Sequence, residues 1–503
     1  LGSEWPCVYR VAARPPGGLE RELYRHAAEA PAPLAPARVE LDLEAYRGAR
    51  IELVLELEGE PPRNPRKTFP TASWGSPEVW SRRAPTRRAA RQPSVLLIGV
   101  DALRADHVGP RGGRPSLTPA LDRLAAQSDV WSEAYTCFNS TNSSFASMMT
   151  GLYAKNHGVY DLQTPLPAEH VTLAERFQAA GYRTLAVIGA RHLGDHNSGL
   201  GQGFDRVELA ERHFAAELGA ALVADWLAES EQPFFVWLHL FDAHTPHTPP
   251  APFSLGYRPA RPAGPGPVVE WSPFREIGAR VFDQPVLAGH RDLYAGEVAY
   301  VDRQLERLLA FLDSRGRLAD TVIAVVADHG DNLGEHGVLY RHIGLHETVS
   351  RVPLVLRRPG AASGRRPAGL AQTIDLFPTL LAAAGLERPE GDGLDLLALA
   401  EGQPGRRAVF AEASHHQGAM VRRDAWKYIE NRGAGPFPAV ELYDLGRDPG
   451  EEHNLAGTGL AQERDLARLL AGWESERRPQ PGAARARDLS EEEKARLRAL
   501  GYL

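Results

Sequence analysis

The sequence predicts an α/β fold with a mostly parallel central sheet and helices on both faces. From Ser94 onwards, short apolar runs alternate with amphipathic stretches of helical periodicity, a pattern typical of doubly wound α/β domains. The chain has 503 residues, of which 43% are hydrophobic and 24% charged. That length and composition allow one large domain with smaller accessory units.

Residues 1–60 predict an N-terminal β unit. The stretch "ARVELDLEAYRGARIELVLELEGE" alternates polar and apolar residues, which predicts two strands joined by a turn at Arg47–Gly48. Residues 61–92 are rich in Pro and Arg and predict a linker. Both an adhesive sugar-binding role and a purely structural role remain open for residues 1–92.

Residues 93–395 carry the alternating pattern and predict the main α/β domain. The predicted strands are "SVLLIGVD", "RTLAVIGA", "FFVWLHLFDAH" and "DTVIAVVADHGD"; the predicted helices are "TPALDRLAAQS", "LAERFQAAGY", "FAAELGAALVADWLAES", "YAGEVAYVDRQLERLLAFLDSRG" and "TIDLFPTLLAAAGL". Residues 396–503 predict a smaller α+β subdomain, with an antiparallel sheet formed by "RAVFAEAS", "GAMVRRDAWKYIEN" and "VELYDLGRD". A terminal helix follows, capped by Ser490 with Glu493 three residues later.

The charge balance excludes one class of partner. The chain has 57 basic and 64 acidic residues, a net charge of −7, which offers no electrostatic footprint for nucleic acid. Its longest apolar runs are too short to cross a bilayer. The oligomeric state and the compartment stay open, with a periplasmic or extracellular location favoured over the cytoplasm.

Three predicted strands end in residues that can bind a metal. They deliver Asp101, then Asp242 and His244, then Asp328 and His329. Ligands of open α/β sheets sit beyond the carboxyl ends of the strands, so these side chains are expected at one edge. Oxygen and nitrogen donors of this kind suit one divalent metal such as Zn, Mn or Ca.

A hydroxyl-rich stretch, "TCFNSTNSSFASMMTG" at 136–151, predicts a helix that ends at Gly151. The N-terminus of such a helix favours an anion through its unpaired N–H groups and dipole. A hydroxyl placed there beside a metal would lose its proton more readily to form an alkoxide, and it would face a phosphate or sulfate group. An ordinary hydroxyl N-cap is the alternative.

With these motifs the chain resembles the sulfatase branch of the alkaline phosphatase superfamily, from about Pro93 to about Ala456. The resemblance rests on "SVLLIGVDALRADHVG", "TPALDRLAAQSDVWSEAYT", "FVWLHLFDAHTPHTPP", "YAGEVAYVDRQLERLL", "VIAVVADHGDNLGEHG", "LHETVSRVPLVL" and "ELYDLGRDPGEEHNLA", with "LRALGYL" at the end of the chain. It implies an alkaline-phosphatase-like sheet and an ester hydrolase.

The chain departs from the family at the nucleophile. Typical sulfatases carry C-x-P-S-R before a helix that ends in L-T-G, and the Cys matures to formylglycine. Aligning on Met149–Gly151 places Thr141 at that Cys and Phe145 at the Arg. Cys137 lies four residues earlier, about 6 Å along a helix, and is expected to be packed in the interior. The second acid of the first turn is replaced by Ala102.

The resemblance implies roles for the remaining residues. Asp101, Asp328, His329 and Thr141 would hold one metal, in a set closer to the zinc-binding relatives than to an all-oxygen calcium site. His244 would protonate the leaving group, His342 would steady transition-state charge, and His157 would contact the substrate. A second metal is possible through Asp242, His244 and either His342 or His346. His336 and His346 are weaker candidates, and Arg351 is expected to support its strand.

A Thr nucleophile changes the expected chemistry. An aldehyde hydrate can expel sulfate by collapsing to the carbonyl, a route closed to a threonine ether oxygen. The leading interpretation is therefore a metal-dependent hydrolase of sulfate, phosphate or phosphonate esters with Thr141 as nucleophile, acting on a small-molecule, glycan or lipid ester. A phosphoryl-group transferase and a catalytically inactive relative that binds a glycan or partner remain as alternatives.

Overall fold

The computed structural model describes residues 7–14, 21–28, 41, 43, 45, 52–58, 92–109, 115–209, 215–254, 284–360, 364–433 and 436–476. It divides into two compact units, residues 1–82 and 83–503. The predicted linker (except Gln92), the terminal helix at Ser490 and part of the first predicted N-terminal strand lie outside the described residues. The predicted domain boundaries at 60, 92 and 395 stay predictions.

The first unit contains a three-stranded antiparallel sheet of order β2-β1-β3. Its strands are β1 (Cys7–Arg14), β2 (Arg21–Ala28) and β3 (Glu52–Glu58). Strand β3 is the second of the two strands predicted from the alternating pattern. Strands β1 and β2 were not predicted, because their sequences mix charged and small residues without clean alternation.

The second unit is built on a seven-stranded sheet of order β5-β11-β10-β4-β9-β7-β8, which confirms the predicted fold class. All neighbouring pairs from β10 to β8 are parallel, while β11 pairs antiparallel with both β10 and β5. The strands are β4 (Ser94–Val100), β5 (Asp129–Val130), β7 (Arg183–Ile188), β8 (Arg206–Leu209), β9 (Phe234–Leu240), β10 (Thr321–Ala327) and β11 (Leu354–Arg357). Strands β6 (Ala134–Tyr135) and β12 (Ala371–Gln372) form a separate parallel pair.

Helices cover both faces of this sheet. They are α1 (Pro119–Ala125), α2 (Thr141–Thr150), α3 (Ala154–His157), α4 (Leu173–Ala179), α5 (Asp195–Ser198), α6 (Ala215–Ala228), α7 (Gln284–Ser314), α8 (Glu347–Ser350), α9 (Leu376–Ala383), α10 (Leu396–Ala400) and α11 (Ala461–Ser475). Alternate residues of β4 enter opposite cores, with Val95 and Leu97 beside α2, α4 and α9. Leu96, Ile98 and Val100 pack beside α1, α6 and α7.

The C-terminal part forms a four-stranded antiparallel sheet, as predicted. Its strands, in spatial and chain order, are β13 (Val409–Glu412), β14 (Gly418–Arg423), β15 (Trp426–Asn431) and β16 (Val440–Asp444). One face packs on α11, and residues Cys137 and Tyr153 of the α/β part share that cluster. No helix in the described part of the chain is both long and apolar enough to span a membrane.

Candidate active site

The register of the central strands places two carboxylates side by side. Strands β4 and β10 pair in parallel with Val100 opposite Ala327, so the next residues, Asp101 and Asp328, leave the sheet together. His329 follows directly on β10. All three side chains are fully buried, and one potential ligand atom of each lies within 4.8 Å of the others. The edge predicted from sequence therefore brings these three residues into one cluster.

Helix α2 delivers Thr141 to this cluster. Ser140 is extended, the helix begins at Thr141, and it ends at Gly151 with a φ of 71°, the left-handed conformation that favours glycine. The Thr141 Oγ1 atom lies 3.5 Å from Oδ2 of Asp101 and 3.4 Å from Nε2 of His329. Because the helix begins here, its first N–H groups point towards the same space.

The hydrogen bonds of the cluster leave three acceptor atoms facing one another. Oδ1 of Asp328 accepts the N–H groups of Ala102 and His329, while its Oδ2 has no hydrogen bond in the described structure. Oδ1 of Asp101 likewise has none. The His329 Nδ1 lies 2.8 Å from the Gly330 carbonyl, so Nδ1 carries the hydrogen and Nε2 presents a lone pair.

Such an arrangement fits a divalent cation. Nε2 of His329 lies 3.4 Å from Asp328 Oδ2 and 3.7 Å from Asp101 Oδ1, and buried acceptors without donors are costly. Burial, followed by the charges of Asp328 and Asp331, raises the pKa of Asp101 well above its usual range. Burial also raises the pKa of Asp328 to about 7 and lowers that of His329 to about 4. A metal would offset this cost, because it binds carboxylates and neutral imidazole.

His244 and His342 lie beside the cluster. The His342 ring stacks on the His329 ring, with the two ring centres 4.2 Å apart, and its centre lies 5.7 Å from that of the His244 ring. The His244 Nδ1 lies 2.8 Å from the Thr245 carbonyl and the His342 Nδ1 lies 2.6 Å from the Asn139 carbonyl. Burial, and then its neighbouring imidazole, lowers the pKa of each well below its usual range. Both are therefore neutral rings that direct Nε2 away from the backbone.

The second metal set predicted from sequence is not assembled. Oδ2 of Asp242 accepts the N–H of Ala216 near the start of α6, so it caps the helix that precedes its own strand in the chain. His346 lies 2.9 Å from Oε2 of Glu441 and stacks on His336. Among the described residues, Asp101, Asp328 and His329 form the one group with metal-ligand geometry.

Three other residues named from sequence have defined surroundings. His157 is fully buried; its Nδ1 accepts the Val159 N–H and its Nε2 lies 3.0 Å from Ser147 Oγ on α2. In this geometry neither nitrogen is available to a ligand, and its substrate contact stays a prediction. Cys137 is buried, with Sγ 3.7 Å from both Thr373 Oγ1 and Gln372 Nε2. The Arg351 Nε donates to the Ser132 carbonyl.

Two histidines near the site were not predicted. His192 follows β7. Burial, and then the neighbouring imidazoles of His342 and His329, lowers its pKa to about 3. The rule that strand ends meet at one edge would have found His192, since β7 belongs to the parallel set. His239 lies inside β9 with Nε2 3.4 Å from Oδ2 of Asp101. A lone His inside an apolar strand carries no comparable signal.

Comparison with known proteins identifies the family of the chain. Residues 93–386 match the profile of the Sulfatase family, and residues 334–471 match that of "N-sulphoglucosamine sulphohydrolase, C-terminal". The multifunctional alkaline phosphatase superfamily protein PehA of Trinickia caryophylli is 27% identical over 495 residues, covering 76% of this chain and 95% of PehA. The Delta 4,5-hexuronate-2-O-sulfatase of Bacteroides thetaiotaomicron is 26% identical over 428 residues, covering 73% of this chain and 85% of that enzyme.

A solved structure shares the fold. The phosphonate monoester hydrolase of Agrobacterium radiobacter superposes with a TM-score of 0.64 at 23% identity, covering 82% of this chain and 96% of that one. The family match spans more than half of the chain and includes the strands that carry the acidic cluster. The chain thus belongs to the sulfatase family of the alkaline phosphatase superfamily and is an ester hydrolase.

Proposed function

We propose that the chain is a metal-dependent hydrolase of sulfate, phosphate or phosphonate esters in which Thr141 is the nucleophile. The observation that carries this proposal is the position of the Thr141 hydroxyl, 3.5 Å from Asp101 Oδ2 and 3.4 Å from His329 Nε2. That position combines a helix N-terminus, which favours an anion, with a cluster of unpaired acceptors that fits a cation. Small-molecule, glycan and lipid esters all remain within the proposed substrate class.

Asp101, Asp328, His329 and the Thr141 hydroxyl are the proposed ligands of one divalent ion. When bound, the ion supplies Lewis acidity, which lowers the pKa of the hydroxyl and withdraws charge from the ester oxygens. Asp101 Oδ2 is within reach to accept the hydroxyl hydrogen. The first-turn N–H groups of α2 orient the non-bridging oxygens of the ester.

His244 and His342 are the proposed acid–base and positioning groups. Each ring is held by a hydrogen bond from Nδ1 to a backbone carbonyl, so Nε2 is the nitrogen that faces the substrate. The negative charge of the bound ester favours the protonated ring, so His244 takes up a solvent proton at Nε2 and passes it to the leaving oxygen as the ester bond breaks. His342, stacked on His329, orients the ester against the nucleophile.

Phosphoryl chemistry is favoured over sulfuryl chemistry by the identity of the nucleophile. Attack by Thr141 forms a bond from its Oγ to the central atom and leaves a covalent ester on threonine. A phospho-threonine ester is resolved by water attacking phosphorus, whereas a threonine sulfate lacks the carbonyl collapse available to an aldehyde hydrate. Phosphodiesters and phosphonate monoesters are therefore the preferred substrates to test.

The test compares turnover of p-nitrophenyl sulfate, p-nitrophenyl phosphate, bis-p-nitrophenyl phosphate and a p-nitrophenyl phosphonate ester. Thr141→Ala should lower kcat by at least about three orders of magnitude, while Thr141→Ser, which keeps the hydroxyl, should retain measurable turnover. Cys137→Ala should leave kcat within about twofold of wild type. Sulfate turnover lost only in Cys137→Ala would refute the proposal. Protein without metal and inert on all four esters would favour the inactive, binding alternative.

A further inference from the structure

His239 is a buried histidine for which the sequence pattern supplied no role. It lies near the end of β9, is 1% exposed, and neither ring nitrogen makes a hydrogen bond with the described residues. Its Nε2 lies 3.4 Å from Oδ2 of Asp101. Buried polar atoms are nearly always satisfied in native proteins, so an unsatisfied ring beside a carboxylate needs an explanation.

Packing fixes the plane of the His239 ring. His239 pairs in register with Gly99 of the neighbouring strand β4. A Cβ atom on Gly99 would lie 2.5 Å from the Phe145 ring, so the glycine makes room for that ring above the sheet. The Phe145 ring in turn meets the His239 ring edge-on at 5.1 Å. His239 is therefore held by aromatic contact, with its Nε2 beside Asp101.

Asp101 has two oxygens with different surroundings. Oδ2 lies near the Thr141 hydroxyl and His239, while Oδ1 faces Nε2 of His329 and has no hydrogen bond within the described part of the chain. The Asp101 N–H donates to the Leu240 carbonyl, so its backbone is tied to the strand that carries His239. A movement of a few tenths of an ångström would bring Nε2 and Oδ2 to ordinary hydrogen-bond length.

We propose that His239 is a positioning residue that donates an N–H to Oδ2 of Asp101 and thereby holds Oδ1 towards the metal. The inference rests on the proposed function, because Asp101 is a ligand only if the cluster binds an ion. Hydrogen-bond partners of metal-binding carboxylates orient the ligand, and their loss typically weakens metal affinity by about 10- to 100-fold. His239 touches neither substrate nor metal in this account.

The experiment measures the dissociation constants of Zn²⁺, Mn²⁺ and Ca²⁺ by competition with a chelator, on metal-free full-length protein. His239→Leu and His239→Met replace the donor with an apolar side chain, whereas His239→Gln keeps an N–H donor. Both apolar variants should bind the ion preferred by wild type about 10- to 100-fold more weakly, and His239→Gln should recover affinity to within about threefold of wild type.

His247 offers a matched control. It is also buried, and neither of its ring nitrogens is hydrogen-bonded to a described residue, but its ring contacts Tyr294 and Tyr340. His247→Leu should leave the metal dissociation constant unchanged. Wild-type affinity in either folded apolar variant of His239 would overturn the inference. Tight metal binding by a wild-type protein that hydrolyses none of the esters would instead contradict the proposed function and leave the role of His239 standing.

Discussion

Alkylation of Cys137 distinguishes a packed thiol from a catalytic one. Burial raises the pKa of the Cys137 thiol to about 12, whereas an exposed cysteine has a pKa of about 8.5. At pH 8 roughly a quarter of an exposed thiol is thiolate, against about one part in ten thousand for Cys137. Since the thiolate is the reactive form, iodoacetamide should modify native Cys137 about three orders of magnitude more slowly than an exposed thiol.

The assay uses a Cys7→Ser background, so that Cys137 is the one remaining thiol, and follows mass after iodoacetamide treatment at pH 8. Unfolding in guanidinium should restore the rate of an exposed thiol. Turnover of the ester panel should survive prolonged treatment of the native protein. Alkylation of the native protein at the exposed rate, with parallel loss of turnover, would refute the assignment of Cys137 to the core.

The buried charges lead to three further predictions. Asp328→Asn keeps the acceptor for the Ala102 N–H but removes the charge of a metal ligand. The metal affinity should fall by at least about 100-fold, so less metal should stay with the protein after gel filtration. Unchanged metal content would contradict the proposed set of ligands. Lys427 is fully buried, with Nζ 3.0 Å from both Glu347 Oε1 and Glu451 Oε1. Lys427→Met would leave these carboxylates without their buried partner, so the free energy of unfolding in urea titrations should fall by about 3–5 kcal/mol. A loss below about 1 kcal/mol would contradict this prediction. Burial raises the pKa of Glu297 from 4.5 to about 8, so the folded state binds the extra proton and stability should fall between about pH 4.5 and pH 8. Glu297→Gln should reduce that fall in Tm between pH 5 and pH 8.5, and an unaltered pH profile would exclude Glu297 as its source.

Regular features of the central sheet were predictable from the sequence. Apolar runs such as "SVLLIGV" are buried on both faces, which gives a strong and unambiguous pattern. The rule that parallel strands end at one edge is enough to place Asp101, Asp328 and His329 together. The position of Thr141 followed from the helix that ends at Gly151, aligned on the family pattern.

Side-chain direction was not predictable in the same way. Asp242 follows a central strand just as Asp101 does, yet it turns to cap α6. His346 pairs with Glu441, 95 residues further along the chain, and local sequence does not specify such a partner. The role inferred for His239 depends on the strand register that sets it beside Gly99. Each of these outcomes depends on tertiary packing, which residue spacing along the chain does not encode.

Trapping the covalent intermediate tests the central claim most directly. The protein would be mixed with bis-p-nitrophenyl phosphate, quenched in acid during turnover, digested, and analysed by tandem mass spectrometry. A nitrophenyl phosphate ester on Thr141, absent from Thr141→Ala, is the expected result. An adduct on another residue, or an aldehyde at Cys137 with no adduct on Thr141, would contradict the assignment of Thr141 as the nucleophile.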